Sequence, residues 1–192
     1  MKAGRRLTRR KFMQMAAAAA AASPMFSCSS TDSPWRFFTV QEARTLEAIC
    51  EQIIPADKDA GAKQAGVVNY IDRQIVGHFK RHQKTYREGL AAVDQTSRTL
   101  FSKVFAELSS EQQIKILEAL EKNEVPADLW KGRSAKQFFE LVVEHAMQGF
   151  YGDPRHGGNR NGVSWRMLGV PYPPIRGRLH YDLTKPVGTQ PA

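Results

Sequence analysis

Residues 135–150 constrain this chain more than any other stretch. Ser134-Ala135-Lys136-Gln137 has the form of a capping box. Behind it Phe138, Phe139, Leu141, Val142, Val143, Ala146, Met147 and Phe150 go almost all the way round a helical wheel. A helix that is apolar on nearly every side is stable only when other elements surround it. The spacing therefore predicts a central core helix from 135 to about 149. Its neighbours must themselves be helices, because no stretch of strand length alternates apolar and polar residues. The fold class that follows is all-α, a bundle of four to six helices.

The other helices are read in the same way. Thr39-Val40-Gln41-Glu42 is a capping box that opens a first helix. Val40, Ala43, Leu46, Ile49, Cys50 and Ile53 follow at helical spacing, and Pro55 stops the run. Cys50 falls on that apolar stripe and is expected to be a buried structural thiol. Residues 56–65 read as a loop. Asp57 and Asp59 there have the alternation of a calcium loop but not its glycine or its closing glutamate. A second helix is expected over about 66–82 and a third over about 86–108, the latter with Leu90, Val93, Leu100, Phe101, Val104, Phe105 and Leu108 inside. Ser109 or Ser110 caps a fourth, 110–122, that buries Ile114, Leu117 and Leu120. After residue 150 the composition turns to glycine and proline. A long turn-rich tail should wrap on the bundle there, with Trp165, Met167, Leu168 and Tyr172 as its anchors.

The net charge of +9 on 192 residues invites a nucleic-acid reading, but its distribution argues otherwise. Six of the 28 basic residues and none of the 19 acidic ones lie in the first 27 positions, so the rest of the chain is near +3. Those 27 residues have the order of an export signal: a basic region, an apolar run from Met13 to Ala22, and a cleavage zone. The run is far shorter than the roughly 20 residues that span a bilayer. Thr8-Arg9-Arg10-Lys11-Phe12-Met13 resembles the twin-arginine signal, which makes Arg9, Arg10 and Phe12 its expected determinants. That route moves proteins already folded. Ser27-Cys28 resembles a bacterial lipoprotein box, with Cys28 as the candidate lipidated residue. Ordinary cleavage near Ala22 or Ser23 is the other reading, and either way a periplasmic protein is expected. The chain thus divides into a leader (1–27), a tether (28–38), a helical domain (39–174) and an irregular tail (175–192).

Few residues suggest chemistry. His78 and His82 are four apart, a spacing that places both on one helix face, but Lys80, Arg81 and Lys84 around them would repel a metal ion. Glu140, Glu144 and His145 lack the Glu-x-x-His spacing of carboxylate-bridged iron, so His145 is expected to be a satisfied core or interface histidine. Two cysteines cannot build an iron–sulfur cluster or a four-thiolate zinc site. Neither a P-loop nor a dinucleotide glycine fingerprint occurs. Gly157-Gly158-Asn159 reads as a chain reversal, or alternatively as an anion-cradling nest beside Arg155 and Arg160. Basic stretches without interleaved aromatics give no reason to expect nucleic acid. No catalytic, cofactor-binding or metal residue is assigned.

The segment His145-Ala146-Met147-Gln148-Gly149-Phe150-Tyr151-Gly152-Asp153-Pro154-Arg155-His156-Gly157-Gly158-Asn159, followed by Trp165 and Gly169-Val170-Pro171, is distinctive. It resembles the gluconate 2-dehydrogenase subunit 3 family, as do Phe38-Thr39 and Ile53-Ile54-Pro55-Ala56-Asp57. The resemblance covers roughly residues 36–174. It implies a non-catalytic small subunit of a periplasmic or membrane-associated dehydrogenase complex. The large subunit would be a flavoprotein of the glucose–methanol–choline type holding FAD, with a multihaem cytochrome c, carrying haem c, as electron acceptor in many complexes. The folded-protein translocase would be a further, transient partner. The expected role is export escort and assembly partner, the alternative being a free-standing periplasmic lipoprotein that binds a ligand or metal. Tyr151, Asp153, Arg155, His156, Asn159 and Trp165 are the expected partner-facing residues.

Overall fold

The structure, a computed structural model, describes residues 34–170. Among the described residues there are eight α-helices and no strand. In chain order these are α1 (Val40–Ile53), α2 (Ala62–Ala65), α3 (Val67–Ile75), α4 (Gln83–Phe101), α5 (Ser110–Glu121), α6 (Ala127–Trp130), α7 (Ala135–Tyr151) and α8 (Val163–Met167). Short 3-10 turns at Lys80–His82, Phe105–Glu107, Pro154–His156 and Arg160–Gly162 join them. The chain is all-α, as expected.

The capping residues act where the sequence puts them. Thr39 Oγ1 accepts from the Glu42 amide and the Glu42 carboxylate accepts from the Thr39 amide, so α1 begins with two of its orphan donors satisfied. Ser109 and Gln112 do the same for α5. Ser134 caps α7 through the Gln137 amide. Helix α7 is central: it packs against α1, α2, α3, α4, α5 and α8. Phe138, Val142, His145, Ala146 and Phe150 form its buried side, whereas Met147 is 41 % exposed rather than inside.

Several expectations are corrected. The helix expected over 66–82 stops at Ile75, because the Gln74 carbonyl accepts from both the Gly77 and Phe79 amides. That turn drives Phe79 into the core, so His78 and His82 do not share a helix face. The loop at 56–65 ends in a helical turn, α2, whose Ala62 and Ala65 are buried. The third helix begins at Gln83 and ends at Phe101, with Ser102 in the left-handed region at φ 61°. Val104 then runs extended and Phe105 enters the core from a 3-10 turn. Leu100 and Ile114, expected inside, are exposed. Helix α6, which no periodicity announced, buries Trp130.

Two buried carboxylates tie the irregular segments to this frame. Asp72 on α3 accepts from the amides of Arg36, Phe37 and Phe38 at 2.7, 2.9 and 3.1 Å. The last part of the expected tether is thereby part of the bundle. Phe38 is buried, and Trp35 and Phe37 pack on the core. Arg87 completes this corner, donating to the Phe37 carbonyl at 2.7 Å, pairing with Glu42, and lying 4.3 Å from the Phe37 ring centroid. Asp94 on α4 accepts from Thr45 Oγ1, Gln41 Nε2 and the Phe105 amide, which sets the turn after α4.

Candidate functional site

The distinctive segment of the sequence forms a strap laid across the C-terminal end of α7 and one face of α3. Helix α7 ends at Gly152, and Asp153 then caps the 3-10 turn by accepting from the Arg155 amide at 2.9 Å. The Arg155 side chain folds back on the same carboxylate, with Nε at 2.9 Å and a terminal nitrogen at 2.6 Å. These bonds from Arg155, side chain first and then backbone, hold the Asp153 carboxyl down to about 2. Both side chains are at the surface, so the pair fixes the shape of the turn more than it stabilises the fold.

The Gly-Gly-Asn stretch is a close backbone approach. Gly157 adopts φ +102°, and a Cβ on Gly158 would fall on the Gly149 carbonyl of α7. Asn159 is fully buried at φ 41°. Its amide donates to the Gly149 carbonyl at 2.9 Å, its Nδ2 donates to the Gly152 carbonyl at 2.9 Å, and its Oδ1 accepts from the Ser164 amide at 3.0 Å. Asn159 was expected to face a partner. Instead it faces inward with every polar group of its side chain committed, because only a short amide tolerating the left-handed region can lock the strap to both α7 and α8. The chain-reversal reading of this motif is the one the geometry matches.

Around that lock the remaining expected residues are brought together. Trp165 is half-buried and its Nε1 donates to the Tyr151 carbonyl at 2.8 Å. Tyr151, Arg155 and His156 are exposed. Met167 and Leu168, expected as anchors, point outward instead, since α8 is held through Trp165, Ser164 and Asn159. Of the nine large apolar side chains exposed among the described residues, five lie between Met147 and Val170, which singles out this end of the molecule. Arg9, Arg10, Phe12, Cys28 and Tyr172 lie outside the described residues.

The buried side of α7 also carries a polar group. His145 is 2 % exposed, stacks on Phe79 at 3.9 Å, and shares a hydrogen bond of 2.9 Å with the Tyr86 hydroxyl through Nδ1. Burial, then the neighbouring His82 and Arg81, push His145 down to about 4. Burial likewise pushes the Tyr86 phenol upward, so both groups are neutral and mutually satisfied at pH 7. Burial also raises the Cys50 thiol, in accord with a structural role. Among the described residues no three His, Cys, Asp or Glu side chains gather as a metal site would require. No helix there is long and apolar enough to cross a membrane.

Sequence reasoning missed Asp72 and Arg73, both on α3. The strap runs antiparallel to that helix: Gly157 sits against Arg73, Gly158 against Tyr70, and Arg160 against Gly66. The signal in the sequence was Tyr70 and Arg73 three apart on one helix face, four and seven residues after Gly66.

The comparisons with known proteins fit this arrangement. No curated protein and no solved structure matches the chain. The sequence model of one family, gluconate 2-dehydrogenase subunit 3, matches residues 40–171, from the first residue of α1 to just past the strap. That span covers more than half of the chain and nearly all of the described fold, and the protein therefore belongs to the gluconate 2-dehydrogenase subunit 3 family.

Proposed function

We propose that this protein is the non-catalytic small subunit of a periplasmic dehydrogenase complex and serves as export escort and assembly partner of its flavoprotein subunit. Membership of a family of dehydrogenase subunits carries the reading. The strap supports it: Tyr151 and His156 stand outward on a locked backbone beside the Asp153–Arg155 pair, and Met147 and Leu168 are exposed as well. Aromatic and arginine side chains so placed give most of the energy of an interface once water is excluded. Hydride abstraction from a sugar or alcohol would belong to FAD in the large subunit, and electrons would leave through a haem c cytochrome. In this reading the leader serves two chains. A flavin held without a covalent bond enters its protein during folding in the cytoplasm, and threading that protein unfolded through a membrane would release it. A folded complex needs just one twin-arginine signal, supplied by Arg9, Arg10 and Phe12. Binding also stabilises whatever is bound, so the same contact assists folding.

Deletion of this protein tests the reading. The large subunit is expected to remain in the cytoplasm, and Cys28→Ala with the twin arginines intact is expected to release active, soluble periplasmic complex. A large subunit that reaches the periplasm without this chain, under its own signal, ends the escort role.

A further inference from the structure

The strap and α3 together hold two guanidinium groups that nothing in the bundle neutralises. A Cβ on Gly66 would lie 2.5 Å from Arg160 Nε, and one on Gly157 would lie 2.7 Å from Arg73 Cδ. Each arginine therefore rests in a notch that exists because the facing residue is glycine, and both glycines have positive φ, at 71° and 102°. Gly66 is the N-cap of α3 and Arg73 lies seven residues further along, so the two notches are roughly 10 Å apart along the helix.

The carboxylates adjacent in sequence are already committed. Asp72 is spent on the three amides of residues 36–38, and Asp153 on Arg155. Neither Arg73 nor Arg160 has an ion-pair partner among the described residues. Both are exposed, and no acidic residue lies between Asp72 and Glu88 or between Asp153 and Val170. Arginine presents a planar donor fork that matches a carboxylate in two parallel bonds, and holding it in place beforehand lowers the entropy lost on pairing.

We infer that the surface where the strap crosses α3, carrying Arg160 and Arg73, is a docking surface for a protein partner that presents two carboxylates about 10 Å apart. Fixed spacing favours a protein over a membrane. Anionic headgroups diffuse and adapt to any arrangement of charge, so flexible lysine clusters serve them equally well. The inference rests on the proposed subunit role and gives its partner surface a charge: the dehydrogenase subunit would be acidic where it meets this face.

The test titrates the full-length protein against the dehydrogenase subunit purified from the native host. Arg73→Gln with Arg160→Gln should weaken binding by roughly tenfold or more. Between about 50 and 300 mM salt, the variant should also lose most of the salt dependence that the wild type shows. The melting temperature should not change, since neither guanidinium is paired within the fold. The double Arg→Lys variant, which keeps charge but not the fork, should fall between the two. Arg155→Gln, whose guanidinium is already paired with Asp153, should cost less than either Gln substitution. Unchanged affinity of the double Gln variant overturns the inference while leaving the subunit role intact. So does a loss of binding to phosphatidylglycerol vesicles with dehydrogenase affinity unchanged, which would assign the face to the membrane. A wild-type chain that forms no complex with the dehydrogenase subunit overturns the subunit role itself, and this surface with it.

Discussion

The bundle has two irregular segments, one entering it and one leaving, and they are secured in opposite ways. Residues 36–38 contribute no polar side chain to their own anchoring. Their amides are gathered by Asp72, a buried carboxylate on α3, and Phe38 follows into the core. The strap at 153–164 carries its own lock, Asn159, and turns its charged side chains outward. A segment held by the core is part of the core. A segment that locks itself, with Gly158 against a helix carbonyl and arginines seated in glycine notches, instead displays a surface of fixed shape. Residues that maintain the fold and residues available to a partner are thus adjacent on α3, at Asp72 and Arg73.

The largest expected effect is at the entry segment. Asp72→Ala removes the acceptor of three amides, leaving the buried Phe38 amide and the part-buried Arg36 and Phe37 amides without it. It should cost about 4 kcal/mol and lower the melting temperature by roughly 10 °C in a domain of this size. Asp72→Asn keeps one acceptor oxygen and should cost about half as much. A melting temperature within experimental error of the wild type in the alanine variant would mean that residues 36–38 contribute nothing to the bundle.

At the strap, Gly158→Ala forces a methyl group onto the Gly149 carbonyl. A loss of about 2 kcal/mol is expected, because backbone has to move to make room. The sharper readout is local. Amide exchange at residues 157–165 should accelerate while α1 and α5 keep their protection. Uniform acceleration across the bundle would show that the strap is not a separate unit.

The smallest effect depends on pH. His145 titrates near 4 when folded and near its ordinary value when unfolded, so between those values the unfolded chain binds more protons. Stability is therefore full above about pH 6.5 and falls on acidification towards pH 4, by about 1 kcal/mol between pH 7 and 5.5. Burial lowers His82 as well, with the same sign. Asp153 acts only further down, as pH falls towards 2. Melting curves of wild type and His145→Gln across pH 4–7 read this out, the variant losing most of the slope. An equal slope in both would assign the acid sensitivity elsewhere.

Much of the architecture was legible locally. Thr39, Ser109 and Ser134 mark their helices because a cap needs only a side chain and an amide three residues on. Leu100 and Ile114 were misread because an apolar position at helical spacing is buried only where another element covers it, and here none does. The break at 76–79 was hidden for the complementary reason. Phe79 leaves the helical path to stack on His145, sixty-six positions away. Within the site, Arg155, His156 and Tyr151 could be picked out as exposed turn and helix-end residues. Asn159 could not be told from them, since its inward role depends on the carbonyls of Gly149 and Gly152 lying beneath it.

The sequence by itself therefore determined the helical class, the central position of α7, the starts of α1, α5 and α7 and the family signature, all of which rest on spacing and on neighbours a few residues apart. Tertiary structure alone decided which polar groups turn inward. Asp72, Asp94 and Asn159 are ordinary polar residues along the chain. Burial makes each of them costly unless the fold supplies partners, and those partners come from other elements. The same packing left Arg73 and Arg160 without an ion-pair partner among the described residues, while Asp72 and Asp153 hold backbone amides.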